Sequence, residues 1–289
     1  MYIDAISIDK RLMDLLISCE IECIIHSIFR RAINLKTSGC DMISIISGGN
    51  GPNVIMVSGR YDFLNLGLNT GHSVICAESG ICLHKEIFIN FNNIPLWEYS
   101  PGKINTDKLK KNFFSFLSFL ASKKYSDPEE IIKETFLSVQ NPSIAVPLYD
   151  SINSLIKAIK EHNRGRINSA LSRIIGTGEG LTPAGDDFLV GLLGALYYFT
   201  RILDTADKAS VILHIIKEDL NVEKTNFISS RFLSFSLEGR FSQSVFEFLD
   251  VLFSASPLDE KPLINLLSYG ASSGTVIVTG ILTGCLLLT

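Results

Sequence analysis

The chain has 289 residues and a formal charge of −4, from 26 Lys and Arg against 30 Asp and Glu. That length accommodates roughly two domains, and 46% hydrophobic against 19% charged residues describes an ordered chain with less charge than the usual ~25%, which excludes disorder. The slightly acidic balance also excludes generic wrapping of a nucleic-acid backbone, which needs clustered basic charge.

Mean hydropathy is +0.28, which raises the question of a membrane span. The longest apolar runs are 188–199 and 275–288, the second interrupted by Gly280 and Gly284. Both fall short of the roughly 18 to 20 residues that cross hydrocarbon. The first eleven residues carry Asp4, Asp9, Lys10 and Arg11 and no apolar core, so no secretory signal is expected and the expected location is the cytoplasm. The six cysteines, Cys19, Cys23, Cys40, Cys76, Cys82 and Cys285, form no C-x-x-C pair and have no His cluster beside them. Reduced thiols are expected, with no zinc site.

In chain order, residues 22–91 alternate short β-branched runs with Gly, Asn and Pro. The runs 42–46 and 54–57 read as two strands joined by the glycine-rich turn SGGNGPN. A second hairpin is predicted from 73–77, the turn Glu78-Ser79-Gly80, and 81–84. His26, Arg30, Arg31 and Asn34 fall in a strand and its exit. After Pro101-Gly102 the apolar spacing becomes helical: over 107–122, then from Pro128 through Ile131, Ile132 and Phe136, then over 151–161. Further helices are predicted at 188–200, 209–220, 227–238, 242–253, 262–269 and 273–287. The fold class expected is α+β, with a β-rich domain over 1–102 and a mainly α-helical domain over 103–289.

One segment stands apart in composition, GTGEGLTPAGDD at 176–187. Gly176, Gly178 and Gly180 at alternate positions permit backbone geometry closed to other residues and let a ligand approach the peptide units. Thr182 is an N-cap candidate with Pro183 at the first helical position, so the loop feeds a helix starting near Ala184. A helix start, here with Gly185 in its first turn, offers N–H groups and positive partial charge to an anion. Asp186 and Asp187 sit in that turn as candidate catalytic groups with Thr182, and as candidate Mg²⁺ ligands beside a phosphate. The same residues also read as a tight turn followed by a helix that its aspartates stabilise.

A second run, GASSGT at 270–275, again precedes an apolar helix. Ser272, Ser273 and Thr275 supply hydroxyls and N–H groups suited to a carboxylate or phosphate oxygen, and Gly274 between them is a further ligand-binding candidate. Ordinary capping with close helix packing is the alternative. In the run TNFISSR at 225–231, Arg231 is a candidate for a bidentate grip on an anion, with Arg240 beyond it. His72, His84, His162 and His214 are scattered and no Ser/His/Asp order is visible, so covalent catalysis is not supported.

The run GTGEGLTPAGDDFLVG, with TNFISSRFL, GASSGTVIVTGILTG, HSIFRRAINL and GPNVIMV, resembles the AllH-type subunit family of bacterial oxamate carbamoyltransferase over most of the chain. The resemblance implies a part in ureide and allantoin breakdown, in which oxalurate and phosphate give oxamate and carbamoyl phosphate. It implies FdrA-like and AllG-type partner subunits, and ligand handling by Gly176, Gly178, Gly180, Thr182, Gly185, Asp186, Asp187, Ser272, Ser273 and Gly274. The last block departs from the family's frequent Gly-His-(Ser/Thr)-Ser-Gly followed by Asp, since Ala271 and Val276 stand in those places. The competing expectation is a non-catalytic subunit that binds a metabolite or docks the catalytic partners.

Overall fold

The computed structural model describes residues 1–59, 61–84, 87–121, 127–202, 205–254 and 259–288. Their contacts separate two units, Met1–Ser100 and Pro101–Thr289.

The first unit contains β1 (Tyr2–Asp9), α1 (Lys10–Ser18), β2 (Ile21–Ile28), β3 (Ala32–Thr37), β4 (Met42–Ile46), β5 (Val54–Val57), β6 (Ser73–Ala77), β7 (Gly80–His84), β8 (Ile87–Asn90) and β9 (Leu96–Trp97). The strands lie in the order β5-β4-β3-β2-β6-β7-β8-β1-β9, and a further pairing of β5 with β1 closes the sheet on itself. Closure removes the open edges that a flat sheet would present. Its interior is aliphatic: Ile25, Ile33, Leu35, Ile45, Ile55, Ile81 and Ile89 are all 0% exposed.

Two features of this unit differ from the sequence reading. The strands at 42–46 and 54–57 are adjacent but parallel, with Ser44 opposite Val54 and Ile46 opposite Met56, so SGGNGPN is a crossover and not a hairpin turn. The reason is closure, because β5 must also run antiparallel to β1, from Ala5 opposite Val57 to Ile8 opposite Ile55. The short three-pair overlap with β4 lets the 47–53 loop make the return. Helix α1 was not expected. Leu12 and Leu16, four apart and each 2% exposed, give it an apolar stripe, but no Gly or Pro separates it from β1. The β6–β7 hairpin forms as expected, with Ile75 opposite Cys82 and Ala77 opposite Gly80. Glu78 and Ser79 make its turn, and Gly80 already belongs to β7.

The second unit is helical: α2 (Thr106–Leu120), α3 (Pro128–Ser138), α4 (Pro142–Lys160), α5 (Arg164–Ile174), α6 (Ala184–Phe199), α7 (Ala206–Asp219), α8 (Phe227–Leu237), α9 (Gln243–Phe253), α10 (Lys261–Leu267) and α11 (Ser273–Leu288). Many starts are fixed by side-chain caps, with Asn105, Asp127, Asn141, Asn163 and Asn226 each accepting a backbone N–H of the following turn. Helix α4 begins well before the predicted 151 because it runs through Pro147, a residue that reads as a helix stop. Helix α5 was not expected, its apolar residues being interleaved with Arg and Ser. The predicted end of the first helix at Ser122 lies outside the described residues.

The centre of this unit is α6 against α11. All of α6 except Val190 and Tyr197 is buried, as is all of α11 except Ser273, Thr275 and Leu286. Among the described residues no helix is long and apolar enough to cross a membrane. The fold class is α+β, a β-rich first part followed by helices.

Candidate functional site

Glycine brings α6 and α11 together. A Cβ at Gly191 would lie 2.0 Å from the Ile277 carbonyl oxygen, and one at Gly280 would lie 2.2 Å from that of Phe188. Any side chain at either position would force the backbones apart. Contacts rise together along the two helices, from Thr182 with Ser273, through Phe188 with Gly280, to Ala195 with Gly284. The helices are therefore parallel, with both N-termini at the same end.

The loop 175–183 delivers the chain to that end. Gly176, Gly178 and Gly180 have φ of 71°, 129° and 91°, in the left-handed region that favours glycine. Two of the three are also held by close approach, since a Cβ at Gly178 would stand 2.3 Å from the Ala184 nitrogen and one at Gly176 would stand 2.8 Å from the Lys224 oxygen. Gly180 has nothing within 4 Å, so of the three it alone faces open space. Gly185 is an ordinary helical residue. Its N–H donates to Thr177 (2.8 Å), and a Cβ there would meet the Ile174 oxygen at 1.9 Å.

The cap of α6 sits one residue later than the sequence suggested. Pro183 is the N-cap and its carbonyl accepts from the N–H groups of Asp186 and Asp187. Thr182 is thereby released from capping, and its hydroxyl turns to Asp187 Oδ2 (3.2 Å) and Ser273 Oγ (2.9 Å).

The two aspartates have different surroundings. Asp186 is 1% exposed; it accepts from the Gly176 N–H at Oδ1 (2.7 Å) and from Thr225 Oγ1 (2.5 Å) and Ser229 Oγ (2.6 Å) at Oδ2. It ties the glycine loop to the start of α8, and the Asn226 amide adds a bond to the Leu181 carbonyl (3.0 Å). Three helix starts, those of α6, α8 and α11, thus meet at one loop. Asp187 is 6% exposed, and its protein partners are the hydroxyls of Thr182 and Ser273. Burial pushes its carboxyl up to about 7; the Ser273 and Thr182 hydrogen bonds oppose that rise and the Asp186 charge adds to it. A carboxyl poised there can hold a proton and release it near neutral pH.

The remaining candidates are placed as follows. Gly274 serves packing, since a Cβ would lie 1.7 Å from the Leu266 oxygen. Ser272 is half-buried on the turn before α11, and its carbonyl accepts from Val276 (3.1 Å). Arg231 donates to Ser230 Oγ (3.3 Å) and pairs with Glu223 at 3.2 Å. Arg240 pairs with Glu238 and lies over the Phe235 ring at 4.9 Å. A Mg²⁺ ion between the aspartates would have to displace the three donors on Asp186. Among the described residues no group of three or more His, Cys, Asp and Glu is placed to hold a metal ion. Thr225 and Ser229 carry no mark in the sequence as Asp186 partners beyond their position at a helix start, one residue before and three residues after the Asn226 cap.

A β-rich unit followed by a helical unit, with glycine-rich loops feeding a buried parallel helix pair, defines the class of protein. Family models match both parts of the chain: oxamate carbamoyltransferase subunit AllH over residues 174–285, and the AllH family N-terminal domain over residues 4–96. The chain belongs to the AllH family. No curated protein and no solved structure gives a significant match.

Proposed function

We propose that this chain is a working subunit of a carbamoyl-transferring complex in the cytoplasm that converts oxalurate and phosphate to oxamate and carbamoyl phosphate in ureide catabolism, with FdrA-like and AllG-type subunits as partners. The observation that carries the reading is Asp187, a nearly buried carboxyl with a pKa raised to about 7 beside two hydroxyls, at the meeting point of three helix starts. Helix N-termini favour anions through their aligned peptide dipoles. Gly180 leaves the loop open to one.

In this reading a hydrogen phosphate oxygen attacks the ureido carbonyl carbon of oxalurate, and the bond from that carbon to the oxamate nitrogen breaks. The proton of hydrogen phosphate ends on the departing nitrogen. Asp187 takes that proton and passes it on, a transfer that suits a pKa near the working pH. Thr182 and Ser273 orient the carboxyl, and the helix starts stabilise charge on the phosphate and on the carbonyl oxygen without reorganising. No protein nucleophile is required.

Isothermal titration with inorganic phosphate and carbamoyl phosphate tests the ligand assignment. Both ligands are expected to bind, and the double variant Thr182→Val/Ser273→Ala is expected to weaken carbamoyl phosphate by about tenfold or more, the value of lost hydrogen bonds to a charged group. Undiminished affinity in that variant removes the cluster from ligand handling.

A second reading, a non-catalytic subunit that docks its partners, is favoured by one observation. Val276 is 0% exposed at the place where the family resemblance implies an acid, so this chain packs an apolar group there. Turnover by a reconstituted complex that survives replacement of Asp187 would select it.

A further inference from the structure

Helices α3, α4 and α11 line a solvent-open cleft of about 260 Å³ near the end of α11 remote from Ser273. Thr283 lines it, and the ten helical residues back to Ser273 amount to about 15 Å of axial rise. The cleft is therefore separate from the Asp187 cluster. Ile132 and Ile156 give it apolar walls, while Tyr149, Asn153, Lys157, Lys160, Thr283 and Glu129 supply its polar groups.

The donors there are only loosely engaged. Lys160 stands 3.7 Å from Glu129 and Lys157 stands 3.9 Å from Glu161, beyond the ~3.2 Å limit of a well-formed N–H···O bond. A better-placed acceptor can draw either ammonium away. Burial, with the Glu129 charge adding to it, pushes the Tyr149 phenol up to about 12, so it remains a proton donor at neutral pH. Its ring is positioned by Phe136, 5.8 Å between centroids. Two ammonium groups and a phenol thus stand over an apolar floor, each ammonium only loosely held by its own carboxylate, Glu161 for Lys157 and Glu129 for Lys160, and an occupant that draws both ammonium groups to itself has an anionic head and an apolar body. Pockets that take small molecules combine apolar walls with a few placed polar groups in this way, and this one is at the small end of their size range.

We propose that this cleft binds a small organic monocarboxylate, its carboxylate held by Lys157, Lys160 and the Tyr149 hydroxyl and its compact apolar body against Ile132 and Ile156. The site is additional to carbamoyl transfer and does not depend on it.

The test is ligand-observed NMR on the full chain with benzoate as the probe and benzamide, its neutral counterpart, as the control. Benzoate is expected to bind at least about tenfold more tightly than benzamide, the scale of a charge-assisted hydrogen bond. Lys157 and Lys160 are exposed, so Lys157→Ala/Lys160→Ala should fold normally and lose at least that factor. Leu286→Trp, which fills the cleft from the half-buried wall residue, should abolish binding, and Thr182→Val/Ser273→Ala should leave it unchanged. Equal binding of benzamide, no benzoate binding at millimolar concentration, insensitivity to the lysine or Leu286 variants, or loss in the Thr182/Ser273 variant would each overturn the proposal. So would equally tight binding of inorganic phosphate with the same lysine dependence.

Discussion

Thr182 and Ser273 are 91 positions apart in the chain, yet their hydroxyl oxygens stand 2.9 Å from each other, and both bond to Asp187. The pair exists because α6 and α11 run parallel in backbone contact, so each helix start brings one hydroxyl to the same carboxyl. Neither motif alone contains that geometry.

Replacing Asp187 by Asn should reveal what burying the carboxyl costs. A folded-state pKa of about 7 against an ordinary value of 3.8 means that the folded chain binds the proton more tightly than the unfolded chain does. The associated stability is full below the unfolded value and is lost as pH rises through about 7. Asp187→Asn should match the wild type near about pH 4 and exceed it at about pH 8, by up to about 4 kcal/mol at ~1.4 kcal/mol per unit. Urea denaturation across that range measures it; a difference independent of pH would contradict the shift.

Removing the Asp186 carboxylate is predicted to destabilise the fold. Its carboxylate satisfies the Gly176 N–H and the Thr225 and Ser229 hydroxyls, so Asp186→Ala leaves three donors without their acceptor at a buried position. A loss of about 3 kcal/mol or more is expected, seen as a lower denaturation midpoint at unchanged m-value. A loss below about 1 kcal/mol would mean that water replaces the carboxylate.

Among the glycines of the 176–185 loop and the α6–α11 contact, Gly180 differs from those that serve packing. Gly280→Ala drives a methyl against the Phe188 oxygen at 2.2 Å and should destabilise by several kcal/mol or prevent folding, because helices in backbone contact cannot absorb it. Gly180→Ala meets no atom within 4 Å but has φ of 91°, so the expected cost is about 1 kcal/mol of backbone strain. If Gly180 lies beside the bound anion, that substitution should weaken phosphate more than it weakens the fold. Thermal melts and phosphate titration on the same two variants separate the effects.

Much of this was legible in the sequence where the signal is local. Helical periodicity placed most of the second unit, and GTGEGLTPAGDD and GASSGT marked the helix starts that meet at Asp187. What was not legible depends on distant pairing. Nothing in 42–57 says that β5 must reach β1, so the crossover looked like a hairpin. Two adjacent aspartates in one turn look interchangeable until Thr225 and Ser229, some forty residues on, take one of them. Arg231 of the same run, a candidate ligand contact from sequence, pairs with Glu223 in the fold. The low charge content is explained by α6 and α11, which are buried around nearly their whole circumference and so carry few exposed positions on which charge could sit.

The most direct measurement is phosphate-dependent formation of carbamoyl phosphate from oxalurate by this chain reconstituted with its partner subunits, comparing wild type with Asp187→Asn. The account predicts a fall in kcat of about 10²-fold or more, the usual worth of a positioned acid–base group, with the complex still assembled and phosphate still bound. Unchanged turnover by the assembled Asp187→Asn complex would contradict it.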